Sequence, residues 1–185
     1  MGFVQAHLIA HATDLGFGRL LASSAMGLMG GFSIVGALLM GALSDKIGRR
    51  FPLGITFGWR GLGYVLLMVL PVLPHPIMLY GAVFVLGISW SSTVSLLATT
   101  CADQYGRRSM GSVFGLVFGI MSLGHSLGVY FPGFLFNLWG SYLGALLINV
   151  VVAWAASGLL WALLDGRREP AVVAAGAIRQ APRSP

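Results

Sequence analysis

Charged residues are so sparse along this chain that they mark out its elements by themselves. Between them lie six apolar segments, at about 3–14, 18–43, 52–71, 76–101, 109–136 and 141–164, and the stretch from Ser109 to Leu164 holds no Asp, Glu, Lys or Arg. That uncharged stretch is long enough for two membrane helices of about 20 residues each. The segments are apolar nearly all round and lack the two-residue alternation of membrane strands. In hydrocarbon every backbone amide has to be paired within the structure, so such runs resolve to helices. Polar and helix-ending residues separate them: Asp14, Gly16, Gly18 and Arg19 after the first, Pro71, Pro74 and Pro76 after the third, and Asn137, Gly140 and Ser141 after the fifth. The expected fold is all-α, a polytopic membrane bundle of about six transmembrane helices over residues 1–165. The first segment is short for a span, as if Met1 fell inside a longer, truncated helix. Residues 166–185, rich in Arg, Pro and Ala, are expected to form a disordered cytoplasmic tail.

Composition agrees with the pattern. The chain is 57% hydrophobic and 9% charged, against about a quarter charged in soluble domains. A net charge of +6 does not imply nucleic acid, because the basic residues form small clusters between apolar segments rather than one solvated face. Cys101 is the only cysteine, so no intrachain disulfide is possible and a small apolar filler is its simplest role. The first ten residues carry no Lys or Arg, unlike a signal peptide, so the helices themselves are the membrane address. Lys46, Arg49, Arg50, Arg107, Arg108, Arg167, Arg168, Arg179 and Arg183 all follow even-numbered segments or lie in the tail. Basic residues stay on the cytoplasmic side, which places both termini there in a cell membrane.

One cluster is more specific than the rest. The ten residues Gly41 to Arg50 read GALSDKIGRR, and they resemble the loop signature of the major facilitator superfamily, which runs Gly, any, Leu, any, Asp, basic, any, Gly, Arg, Arg or Lys. Gly41, Leu43, Asp45, Lys46, Gly48, Arg49 and Arg50 meet it. His7 to Gly18 is similar to the end of that family's seventh helix, Asp103 to Gly115 to its loop between helices ten and eleven, and Gly124 to Tyr142 to its eleventh helix and the turn into the twelfth. The resemblance implies the carboxy-terminal six-helix half of a transporter. Within the family the first segment and the turn at Gly140 to Tyr142 look most like carriers of monocarboxylates and related organic anions, although Leu20 to Leu43 lacks the Arg common in that branch.

Individual positions carry several readings. Asp45, Lys46, Arg49 and Arg50 anchor a loop on topogenic grounds alone. The resemblance adds a gate-loop role, in which Asp45 meets a helix N-terminus and pairs with Arg in one access state. Asp103, Arg107 and Arg108 make up the second cytoplasmic loop. Arg60 is the one charge well inside a predicted span. It either binds a substrate carboxylate or snorkels back to the headgroups. His7, His11 and Asp14 recur at i, i+4 and i+7 on one face; packing leads, with pocket-lining or proton coupling behind, and the same division applies to His125. No metal is expected, since further ligands are lacking. Glycines spaced by four (Gly27 and Gly31, Gly54 and Gly58, Gly111, Gly115 and Gly119, Gly124 and Gly128) suggest close helix contacts.

No phosphate-binding loop and no hydrolytic constellation is present, so neither ATP use, an enzyme activity nor a cofactor is expected. The leading expectation is secondary transport of a small solute, an organic anion such as a monocarboxylate foremost. In the family the site lies between two halves, so the chain then needs a partner, a missing amino-terminal half or a second copy. The alternative is a non-transporting remnant or regulatory subunit that associates with other helices.

Overall fold

The structure is a computed structural model that describes residues 2–164; the tail expected to be disordered lies outside them. Six helices follow one another, with no strand among the described residues: α1 (Gly2–Asp14), α2 (Arg19–Ile47), α3 (Arg50–Val69), α4 (Pro76–Gly106), α5 (Ser109–Trp139) and α6 (Leu143–Leu164). All but α1 are long and apolar enough to cross a membrane.

The ends have local causes. α2 runs a turn beyond the expected boundary at 43, because nothing stops it before Gly48. That residue takes φ 87° and its N–H closes onto the Ser44 carbonyl, a conformation in which a side chain would be strained. Most of the GALSDKIGRR segment is therefore helix, and the loop proper is Gly48 and Arg49. The fourth and fifth segments are also closer than expected. Helical hydrogen bonding runs from Pro76 to Trp139, and only the φ 73°, ψ 166° of Gly106 turns the chain between α4 and α5. Pro76 opens α4 at a position where its missing N–H is harmless, and His75 Nδ1 accepts from the Ile77 amide at 3.3 Å. α5 ends at left-handed Gly140, whose N–H meets the Phe136 carbonyl at 2.7 Å.

Two seams hold the bundle. α2 buries one stripe, Ala22, Ala25, Met29, Ser33 and Gly36, at the three- and four-residue spacing of a helix face. It does so against α4: Gly36 lies on the Ile88 backbone, Gly87 on Phe32 and Met29, and the rings of Phe32 and Phe84 meet edge to face at 5.0 Å. α3 packs on α6, with the indoles of Trp154 and Trp161 over Gly61 and Gly54. Trp154 Nε1 donates to the Gly58 carbonyl at 3.2 Å and Ser157 Oγ to the Gly54 carbonyl at 2.9 Å. The shared core includes Phe3, Leu8, Tyr64, Leu67, Leu79 and Leu86.

The glycine spacing is used unevenly. Gly54 and Gly58 face α6, and Gly128 touches Gly2 of α1. Gly27, Gly31, Gly111, Gly115, Gly119 and Gly124 have nothing within 4 Å of where a Cβ would stand. These bare glycines lie on α2 and α5, and α5 buries only Pro132 among its described residues. Between α5 and α6 an apolar cleft of about 350 Å³ is lined by Leu127, Phe131, Leu135, Ile148 and Val152 among others.

Gly36→Ala separates packed from bare glycines. Its Cβ would fall on backbone atoms of Ile88, which cannot rotate aside, so the helices must move apart at a cost of about 1–3 kcal/mol. Gly31→Ala enters open space. A lower melting temperature in detergent is expected for the first and not for the second; equal shifts would show that α2 and α4 do not pack in this register.

Candidate functional site

Three segments converge on one guanidinium at the Gly48 turn. The two-residue loop aims Arg49 back along α2 and across to the end of α4. Its Nη1 donates to Asp45 Oδ1 at 2.8 Å and to Ser44 Oγ at 3.2 Å, and its Nε donates to Asp103 Oδ2 at 2.8 Å. Asp45 and Arg49 stand four residues apart in sequence, across the Gly48 turn, and Asp103 arrives from two residues beyond buried Cys101. The bond to Asp103 first, and then Asp45, hold the Arg49 guanidinium above its ordinary value. It is a permanent cation that bridges two carboxylates. The Arg49, Asp45 and Asp103 side chains are 25%, 68% and 55% exposed, so each pair contributes on the order of 0.2–1 kcal/mol.

Through Arg49 the signature loop is tied to an element of this same chain, the end of α4. Arg50 opens α3, and Arg107 and Arg108 sit at the Gly106 break between α4 and α5. Lys46 is exposed on the last turn of α2.

Arg60 is far from this cluster. It lies ten residues into α3, about 15 Å along the axis, and reaches across to α4. Its Nη2 donates to the Ser89 carbonyl at 2.8 Å and to Thr93 Oγ1 at 2.6 Å, both on α4, and its guanidinium carbon sits 5.1 Å from the Phe57 ring centroid. Its Nε is buried and has no hydrogen-bond partner in the structure. No Asp or Glu lies within α3 or α4 near it; Asp103 is ten residues beyond Thr93. The acceptors were missed in the sequence, where the hydroxyl cluster Ser89, Ser91, Ser92 and Thr93 in an otherwise apolar run was the available signal.

His7 and His11 each hold a carbonyl of another helix. His7 Nε2 lies 2.9 Å from the Val129 carbonyl of α5, and His11 Nε2 3.4 Å from the Leu67 carbonyl of α3. The second bond has a clear cause: the helical partner of Leu67 would be the amide of residue 71, and Pro71 has none. Tyr142, between α5 and α6, lies 5.5 Å from both imidazoles and stacks on Phe136 at 4.3 Å. Burial, and then Asp14, push its phenol up, so it stays neutral. Asp14 itself is exposed. His125 is partly exposed on α5, and its carbonyl faces Gly2. Among the described residues no group of three His, Cys, Asp or Glu could hold a metal ion.

A double-mutant cycle tests the bridge. Arg49→Gln and Asp103→Asn should couple by about 0.2–1 kcal/mol in thermal unfolding, and the coupling should shrink in high salt because Asp103 is exposed and Arg49 only half-buried. Strictly additive effects would mean that the two side chains do not meet.

Comparison with known proteins places these features. The chain is 30% identical over 155 residues to an uncharacterized MFS-type transporter, YcxA, of Bacillus subtilis strain 168, an alignment covering 82% of this chain and 37% of that protein. It is 26% identical over 154 residues to monocarboxylate transporter 13 of Bos taurus, covering 83% of this chain and 36% of that protein. The chain thus spans little more than a third of the length of these curated relatives. No solved structure matches. The profile of the Major Facilitator Superfamily matches residues 2–185, nearly the whole length, and the chain belongs to that superfamily.

Proposed function

We propose that this chain is one half of a secondary carrier that moves a small solute, an organic anion such as a monocarboxylate, across the cell membrane, with both termini cytoplasmic. The observation that carries the reading is the unequal covering of the bundle. α3 and α4 are the best covered helices and α6 is covered along the side that meets α3, while α2 and α5 leave broad apolar faces bare, with Leu28, Ile34, Val35 and Leu38 on one and Leu116, Ile120, Leu123 and Leu127 on the other. Their uncovered glycines, Gly27, Gly31, Gly111, Gly115 and Gly119, give those faces the small-residue surface that helices use to approach closely in lipid.

The occupant of these faces is the rest of a longer chain, an amino-terminal half. Both curated relatives are more than twice the length matched here, and a carrier of this family forms its solute path between halves. An anionic solute suits a chain whose candidate spans contain the cation Arg60 and no Asp or Glu between Leu20 and Ser44, Phe51 and Ala102, or Ser109 and Leu164. It also accords with the name of the Bos taurus relative. The Arg49 bridge between Asp45 and Asp103 then lies on the cytoplasmic side, where the signature loop meets the second cytoplasmic loop.

Uptake by the protein with both halves, reconstituted into liposomes with a pH gradient, tests the reading. Saturable accumulation of radiolabelled pyruvate is expected. Uptake of other solutes but no monocarboxylate would correct the substrate class, and a folded protein that carries nothing would favour a non-transporting membrane subunit. Gly31→Leu and Gly115→Leu should leave the 185-residue chain as stable as before and reduce uptake by the two-half protein several-fold. Equal damage to the chain alone would show that those faces are already used within it.

A further inference from the structure

α4 is packed along one half and loose along the other. From Leu79 to Thr93 most residues are buried, Leu79, Ala82, Val83, Leu86 and Ser89 completely. From Val94 to Gly106 only Leu96 and Cys101 are buried. Ile88 marks the end of the firm part, because its backbone lies directly on Gly36 of α2. The change falls at Ser89 to Thr93, the place where Arg60 reaches across from α3.

The carbonyls of α4 carry extra donors at that place, within a helix that keeps regular dihedrals there. Ser89 Oγ donates to the Leu86 carbonyl at 2.9 Å, Ser92 Oγ to the Ile88 carbonyl at 2.6 Å and Thr93 Oγ1 to the Ser89 carbonyl at 3.2 Å. Such bonds to the preceding turn compete with the backbone ladder and bend helices. The Ser89 carbonyl is the most contested, since it also receives Arg60 Nη2 at 2.8 Å. A carbonyl oxygen has two lone pairs, so the backbone amide one turn on, that of Thr93, shares its acceptor with two side-chain donors. Arg60 also donates to Thr93 Oγ1, which closes a ring of three groups around one turn of helix.

We infer that Arg60 is the positioning residue of a joint in α4. It braces the helix at Ser89–Thr93, and so sets where the Val94–Gly106 arm, carrying Asp103, stands relative to Arg49. The role in transport rests on the carrier reading above; the joint itself does not. A guanidinium inside a span with no carboxylate beside it needs acceptors, and among the described residues its hydrogen bonds go to this single turn, with the Phe57 face beside it. Losing the brace frees the arm and leaves the packed half of α4 in place.

Cys101, on the arm and 5% exposed, is a built-in reporter. In the full 185-residue chain in membranes, its labelling rate with N-ethylmaleimide should rise on the order of tenfold in Arg60→Gln, as expected when a hydrogen bond to a charged group is lost. Arg60→Lys, which keeps charge and donors, should restore part of the protection, and Thr93→Val should show a smaller rise. Ala82→Cys in a Cys101→Ser background, in the packed half, should stay unlabelled with and without Arg60→Gln. Unchanged Cys101 labelling in a folded Arg60→Gln variant would overturn the inference. So would parallel labelling at positions 82 and 101, the mark of general loosening. If Arg60→Gln does not fold, Thr93→Val decides by the same criterion. No solute is present, so failure of the transport reading and failure of the joint are seen separately.

Discussion

Apolar helices gain nothing from hiding apolar surface from lipid, and every other feature of this bundle follows from that constraint. Association has to come from close backbone approach and from hydrogen bonds between helices. The chain meets it at two seams, where Gly36 admits the Ile88 backbone and where Gly54 and Gly61 admit the indoles of α6. The second seam adds bonds from Trp154 and Ser157 to carbonyls of α3. The contact of α1 with α5 rests on less: Gly2 against Gly128 and Val129, the His7 bond to the Val129 carbonyl, and the ring group around Tyr142.

The same constraint gives two arginines opposite characters. Arg49 stands at a helix end beside two exposed carboxylates, and its bonds are screened and weak. Arg60 stands mid-span, where an unsatisfied cation is expensive, so its acceptors cannot be given up without a replacement. One residue type therefore supplies a contact that is easily broken and a contact that is not. Both act on α4, at Asp103 and at Ser89–Thr93.

Much of the fold was legible in the spacing of charges. The number of helices, their order and the signature loop follow from where Asp45, Lys46, Asp103 and their neighbours interrupt the apolar runs. Boundaries were less legible: of the break residues after the fifth segment Gly140 is the one that stops α5, three residues past the expected 136, and the stop after Leu43 came one turn later, since the polar residues Ser44 to Lys46 sit comfortably on an exposed helix end. Glycine spacing misled in a specific way. A repeat of four shows that a face is smooth and says nothing about whether a neighbour covers it, so Gly54 and Gly58 looked the same as Gly27 and Gly31. Arg60 was seen, but its acceptors were not, because hydroxyls satisfied within their own helix leave no periodic trace in the sequence.

The compliant parts of the molecule are continuous. They run from Val94 on α4 through the Gly106 break into the bare length of α5, and they are bounded by the Arg60 contact at one end and by Pro132, with the His7 bond to Val129 beside it, at the other. The strong seams lie outside this stretch, and the Arg49 bridge lies within it. A reversible closure needs that division. Interactions at the moving end must be small enough, a fraction of a kcal/mol to about one, that a bound solute or a partner helix can tip the balance by differential affinity. The fixed end must be strong enough that the motion is a swing of one segment and not a loosening of the bundle. On the inference drawn for Arg60, that residue separates the two regions, since both its hydrogen bonds fall on a single turn of α4 and leave the arm beyond it unbraced.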